Sequence, residues 1–141
     1  MGHPGGYTSY DYSAPIREDR RVDREKYSEQ KLQANFFKVT PSFLTATRGT
    51  ASTSWTSTTA LTVTPAFSNS TNFYFLRHAK YNSREKTSYK LTVQTKTFGN
   101  ITVPQTNGSL VLNGRDAKVH VSDYDVGGLN IVYSTGEIYT W

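Results

Sequence analysis

Cysteine is absent from the sequence. That absence excludes a disulfide-stapled scaffold, thiolate zinc sites and cysteine nucleophiles together, while leaving the redox compartment undecided. No apolar run approaches the roughly 18 residues that read as a membrane span, and the opening MGHPGGYTSY lacks the basic and apolar regions of a signal peptide. Apolar residues reach 35% and charged residues 19%, against roughly 45–50% and 25% in ordinary globular domains. Charge of one sign is not blocked together: residues 1–38 hold seven Lys/Arg against six Asp/Glu, and residues 39–141 hold nine against five. The net +5 is therefore spread along the chain, without the clustered basic face that nucleic-acid binding needs. Neither a nucleic acid nor a membrane is expected as partner.

Hydroxyls and aromatic rings fill the deficit. Ser and Thr occupy 34 of the 141 positions, with Tyr 10, Phe 7 and Trp 2 beside them. Disordered chains are aromatic-poor, and β-branched and aromatic residues favour pleated, half-buried surfaces, so the composition points to β-structure. The length suits one ordinary domain.

Composition shifts near Pro41. Residues 17–38 (REDRRVDREKYSEQKLQANFFK) contain no Gly or Pro and read as the one convincing helix. Asp23 is its expected N-cap, Val22 and Tyr27 its hydrophobic staple, and Leu32, Phe36 and Val39 its apolar stripe. Pro41 ends it by pushing Thr40 out of the helical region. Beyond that point residues 50–64, 72–78, 87–95, 100–103, 109–112, 117–121 and 129–139 read as short strands. Tyr89, Leu91 and Val93 alternate onto one face. Asn107-Gly108 and Asn113-Gly114 are the expected hairpin turns, and the whole suggests an antiparallel sandwich or meander. Strand texture reaches Trp141, and the helix has no partner element before it, so the sequence is expected to be part of something larger.

Motifs for chemistry are sparse. His3, His78 and His120 are far apart, with no metal-ligand spacing, and no nucleophile elbow, phosphate loop or dinucleotide fingerprint occurs. No metal or cofactor is expected. Asp123 and Asp125 flank Tyr124; a cation or sugar there is conceivable, but a solvated turn after strand 117–121 is the plainer reading. Glu18, Asp19, Asp23, Glu25 and Glu29 are expected to favour the helix start and pair with neighbouring arginines rather than act as a catalytic pair. Asn69, Asn100 and Asn107 each open an N-x-[ST] acceptor sequence, a number close to the roughly two that chance supplies at this composition.

The N-terminal HPGGYTSYDYSAP is a Gly/Pro-framed loop dense in tyrosine. Rings with polar tips suit sugars, which stack on aromatic faces and need hydrogen-bond partners, and they equally suit packing on the loop's own domain. A resemblance breaks the tie. The run Gly5-Gly-Tyr-Thr-Ser-Tyr-Asp-Tyr12, followed by Ala14-Pro-Ile-x-Glu18 and Arg24-Glu-Lys-Tyr27, resembles the last part of the catalytic barrel of glycoside hydrolase family 35, the retaining β-galactosidases. Leu61-Thr-Val-Thr-Pro65, Arg77-His78, Tyr89-Lys-Leu-Thr-Val93, Gly114-Arg-Asp116, Val119-His-Val121, Asp123-Tyr-Asp-Val126 and Asn130-Ile-Val-Tyr-Ser134 are similar to the β-rich second domain of the large fungal members. Ser13-Ala-Pro15 departs from the Gly-Ser-Ala usual in the fungal enzymes.

The resemblance implies a mainly β chain in two parts. Residues 1–39 would be the last loop and helix of a (β/α)8 barrel, and residues 40–141 the start of an antiparallel all-β domain. It implies a galactose-contacting hydroxyl at Tyr12, with Tyr10 and Asp11 supporting the loop. It also implies that both catalytic glutamates lie upstream of this loop, so that no catalytic residue falls in this chain and the chain alone does not hydrolyse galactosides. The partners implied are a β-galactoside and the barrel and β domains of an extracellular parent enzyme. The competing expectation is a self-standing β-sandwich that binds carbohydrate or protein.

Overall fold

The computed structural model describes residues 2–3, 6–7, 11–12 and 14–141. Two short strands, β1 (Gly2–His3) and β2 (Gly6–Tyr7), pair antiparallel. Helix α1 (Arg24–Val39) follows. Asp23 caps it as expected, its carboxylate accepting the Lys26 N–H at 3.4 Å, but residues 17–22 are not helical. They form a turn closed by a bridge between Ile16 and Val22 and passing through Arg20 at φ 65°. The reason is local: the Arg17 and Arg20 amides bond within the turn, to Arg21 O and Arg17 O, both at 2.9 Å, competing with helix propagation. Val22 and Tyr27 stay exposed rather than closing a staple, while Phe36 in the stripe is buried. A 3-10 turn over Pro41–Thr45 stops the helix where expected.

Nine strands make up the rest: β3 (Thr47–Arg48), β4 (Leu61–Phe67), β5 (Asn72–His78), β6 (Thr87–Tyr89), β7 (Leu91–Thr95), β8 (Gly99–Val103), β9 (Leu110–Leu112), β10 (Ala117–Val126) and β11 (Leu129–Ser134). Five of them form an antiparallel sheet in the order β11-β10-β5-β4-β3, and β6-β9 and β7-β8 form two antiparallel pairs. Leu61 and Val63 of β4 and Tyr74 and Leu76 of β5 face Tyr89, Leu91, Val93, Val103 and Leu112 across one core. The mainly β, antiparallel expectation holds, and Tyr89, Leu91 and Val93 share the core face as their alternation required.

Compact packing separates two units, residues 1–40 with 139–141, and residues 41–138. Several strand expectations need correction. Residues 50–60 are irregular because their hydroxyls bond nearby backbone: Thr56 Oγ1 donates to Thr53 O and Thr58 O at 3.3 and 2.6 Å. The segment joins the strands through isolated bridges, Ser52 with Val63 and Thr56 with Leu91, rather than as a continuous strand. Strand 87–95 breaks at Lys90, whose amide bonds the Ser57 hydroxyl at 2.9 Å. β11 ends at Ser134 rather than continuing to residue 139.

Neither Asn-Gly pair makes a hairpin. β8 pairs with β7 and β9 with β6, so Asn107-Gly108 and Asn113-Gly114 join strands that are not partners. Gly114 serves close approach instead: a Cβ there would stand 2.3 Å from the Arg84 carbonyl oxygen. Tight hairpins in the β unit form instead at β4–β5, β7–β8 and β10–β11.

Candidate functional site

In the N-terminal unit, hydrogen bonds fix the loop that carries Tyr12. The Asp11 carboxylate accepts the Glu18 N–H at 2.8 Å, closing the segment between them. Lys26, in the first turn of α1, donates from Nζ to the Tyr12 carbonyl at 2.7 Å. Asp23 organises the same corner, with Oδ2 3.5 Å from Arg17 and 3.6 Å from Lys26. The Lys26 backbone N–H, and after it the two cations, hold the Asp23 carboxyl below the usual carboxylate range. Arg21 pairs with Asp19 at 3.2 Å, so two of the five acids, Asp19 and Asp23, make ion pairs with neighbouring arginines. The outcome is a tethered Tyr12 backbone with its side chain 78% exposed. Of the two residues expected to support the loop, Asp11 makes this bond to Glu18 and Tyr10 lies outside the described residues.

The β unit holds its polar groups inside. His120 of β10 and Tyr89 of β6 are both buried, with Nε2 and Oη 2.8 Å apart. Burial, with the charge of Lys118 added, pulls the imidazole down to about 4, so it is neutral at physiological pH. Burial, with Glu137 added, pushes the Tyr89 phenol up to about 12. His78 is buried too, its Nε2 2.9 Å from the Asn113 carbonyl. Both histidines act as structural hydrogen-bonding groups.

A second network fastens the β7–β8 pair to the five-stranded sheet. The Gln94 N–H donates to Tyr74 Oη at 2.7 Å, and the Gln94 carbonyl accepts from Ser122 Oγ and, at 3.1 Å, from Asn72 Nδ2. Burial raises the Tyr74 pKa, against the opposing effect of these hydrogen bonds, and keeps the phenol protonated. Asp123 overturns the solvated-turn expectation: it sits within β10, 2% exposed, at φ 51°. Its Oδ2 accepts the Lys96 N–H at 2.9 Å and its carbonyl accepts the Thr71 hydroxyl at 3.3 Å. Asp125 is exposed and caps the Gly128 N–H at 2.8 Å. The two carboxylates therefore serve different partners. Among the described residues no three His, Asp or Glu side chains gather as a metal site, and no helix is long and apolar enough to cross a membrane.

A hollow of about 350 Å³ lies against the outer face of the five-stranded sheet, lined by Phe43, Ala46, Arg48, Thr64, Ala66 and Phe75. Phe43 packs edge-on against Phe73 and Phe75, at 5.4 and 5.8 Å between ring centres. Its lining is apolar with few converging polar groups, unlike a site that orients a small polar ligand.

Sequence reasoning missed the His120–Tyr89 pair and the buried role of Asp123. Strand alternation could have found the first, since His120 shares parity with Ser122 and Tyr124 on β10. Nothing local signalled the second, because its partners Thr71 and Lys96 come from two other hairpins.

Comparison with known proteins agrees with this β unit and extends beyond it. Residues 43–141 match the family model for β-galactosidase, domain 2. The chain is 54% identical over 144 residues to a probable β-galactosidase E of Aspergillus fumigatus and 56% identical over 143 residues to a probable β-galactosidase A of Emericella nidulans. It is 55% identical over 145 residues to a β-galactosidase A of a Penicillium species. In each case the alignment takes in 100% of this chain and 14% of the relative, so the chain spans about one-seventh of the length of the curated proteins it matches. By the match over residues 43–141, the chain belongs to the β-galactosidase domain 2 family.

Proposed function

We propose that the chain is a segment of a retaining, secreted β-galactosidase that hydrolyses terminal β-galactosyl residues. The observation that carries the reading is identity of 54–56% along the whole chain to proteins named β-galactosidases. In this reading residues 1–39 are the last loop and helix of the catalytic barrel, and residues 40–141 open the β domain that follows it in sequence. Tyr12 supplies a hydroxyl to the galactose pocket. An exposed phenol on a backbone held by Lys26 suits that task, because a pre-positioned donor costs little ordering when sugar binds. Asp11 maintains the loop through Glu18. The acid/base and nucleophilic glutamates lie outside the chain, and β-galactosides are the substrate of the complete enzyme.

The test is a chimaera in which this chain replaces the aligned segment of one of the fungal relatives. Tyr12→Phe in that chimaera is expected to raise KM for a chromogenic β-galactoside about tenfold, the loss of roughly one good hydrogen bond to a polar ligand. An unchanged KM and kcat would remove Tyr12 from the pocket.

A further inference from the structure

Among the described residues Phe98 is 64% exposed and has no ring partner, at the tip of the β7–β8 hairpin. The tip is rigid. Thr95 Oγ1 accepts the Phe98 N–H and donates to the Gly99 carbonyl, each at 3.0 Å, and Gly99 takes φ 66°, the left-handed residue that follows a three-residue hairpin loop. Lys96 anchors the loop from below, through its N–H to Asp123 and its Nζ to the Asn69 carbonyl at 2.7 Å.

Two residues after Phe98 comes Asn100-Ile101-Thr102. On β8 Asn100 and Thr102 are exposed, while Ile101 and Val103 turn to the core, so the amide and the hydroxyl share the outward face. β8 is also an edge: among the described residues it pairs only with β7. The other two acceptor sequences differ. Asn69 also has a phenylalanine two residues before it, but Phe67 packs with Trp55 and Tyr74, and the Thr71 hydroxyl is buried and committed to Asp123. Asn107 is exposed but has no aromatic residue in the three positions before it.

We propose that Asn100 is an N-glycan acceptor and that the ring of Phe98 docks the first sugar. In the transfer the Asn100 amide nitrogen bonds to the anomeric carbon of a lipid-diphosphate-linked oligosaccharide as the bond from that carbon to the diphosphate breaks. The amide gives up one proton, and the lipid diphosphate leaves. The first N-acetylglucosamine then lies over an apolar ring face that is otherwise wet, and the glycan covers an unpaired strand edge that would otherwise template association. The proposal brings with it passage through the compartment where such glycans are added. It does not rest on the galactosidase reading, since occupancy is read without activity.

The experiment uses the full chain behind a cleavable secretion leader in yeast. Release of glycans by peptide N-glycosidase in heavy-oxygen water marks each occupied asparagine for mass spectrometry. Asn100 is expected to carry the mark and to lose it in Asn100→Gln and in Thr102→Ala; an unmarked Asn100, whether or not Asn69 or Asn107 is marked, overturns the site. Docking is read twice. The N-acetyl methyl of the first sugar should shift upfield under the Phe98 ring current, and Phe98→Ala should lower the Tm of the glycosylated chain by several degrees more than that of the enzymatically deglycosylated chain. An unshifted methyl or equal Tm changes in the two forms overturns the docking. The methyl shift is measured on the unmutated chain, so it decides even where the variant fails to fold.

Discussion

Lowering the pH from 7.5 to 5 is expected to destabilise the β unit through one residue, His120. Its imidazole is buried beside Tyr89 and falls to about 4 in the folded chain, from 6.5 when exposed. A histidine depressed in this way binds its proton more readily unfolded than folded, so stability is full above the unfolded value, falls as pH drops below it, and levels off below the folded value. At pH 5 the unfolded imidazole is nearly all protonated and the folded one nearly all neutral. The 1.5-unit gap below 6.5 then amounts to about 2 kcal/mol at roughly 1.36 kcal/mol per unit. The groups that bear on the pair are Lys118 of the same strand and the Ser134 backbone of β11 on the imidazole, the second opposing the shift, and Glu137 on the phenol. Urea unfolding at pH 7.5 and 5, followed by tryptophan fluorescence, measures the difference. His120→Gln keeps a hydrogen-bonding side chain opposite Tyr89 and cannot titrate, so it should lose about 2 kcal/mol less than the unmutated chain over the same interval. An equal loss in both would refute the assignment of this pH dependence to His120.

Other consequences are simpler to read. Leu61→Ala, at a fully buried core position, should cost about 2–5 kcal/mol in urea unfolding, while Leu44→Ala, 82% exposed, should stay within roughly 0.5 kcal/mol of the unmutated chain. Tyr74→Phe removes the acceptor of the Gln94 N–H and should cost about 1–3 kcal/mol by the same assay. Gly114→Ala drives a methyl into the Arg84 backbone and is expected to lose about 1–3 kcal/mol, whereas Gly136→Ala, whose added carbon meets nothing nearer than 3.9 Å, should be close to neutral.

What could be read from the sequence was whatever local chemistry decides. Asp23 as N-cap, Pro41 as helix stop and the shared face of Tyr89, Leu91 and Val93 each depend on a few adjacent residues, and each stands in the structure. The failures share a cause in long-range partners. Asn113-Gly114 has hairpin chemistry, but tertiary packing against Arg84 and the bond from His78 to the Asn113 carbonyl use it differently. Strand pairing between β5 and β10, and between β6 and β9, spans tens of residues and leaves no turn signal to read. The segment 50–60 misled by composition, since the hydroxyl-bearing β-branched residues that favour strands also satisfy nearby backbone in irregular turns. In the candidate sugar loop the tyrosines and their spacing were legible, and so was the family resemblance. The tether from Lys26 to the Tyr12 carbonyl was not, because a flexible lysine fourteen residues away has no periodic signature.

The proposal above makes this chain a working segment of a β-galactosidase whose catalytic glutamates lie elsewhere. It is tested most directly by assaying two proteins side by side on a chromogenic β-galactoside: the chain alone, and a fungal relative carrying the chain in place of its own aligned segment. No hydrolysis above background is expected from the chain alone, and turnover is expected from the chimaera. Hydrolysis by the chain alone, or a folded chimaera without turnover, would contradict it.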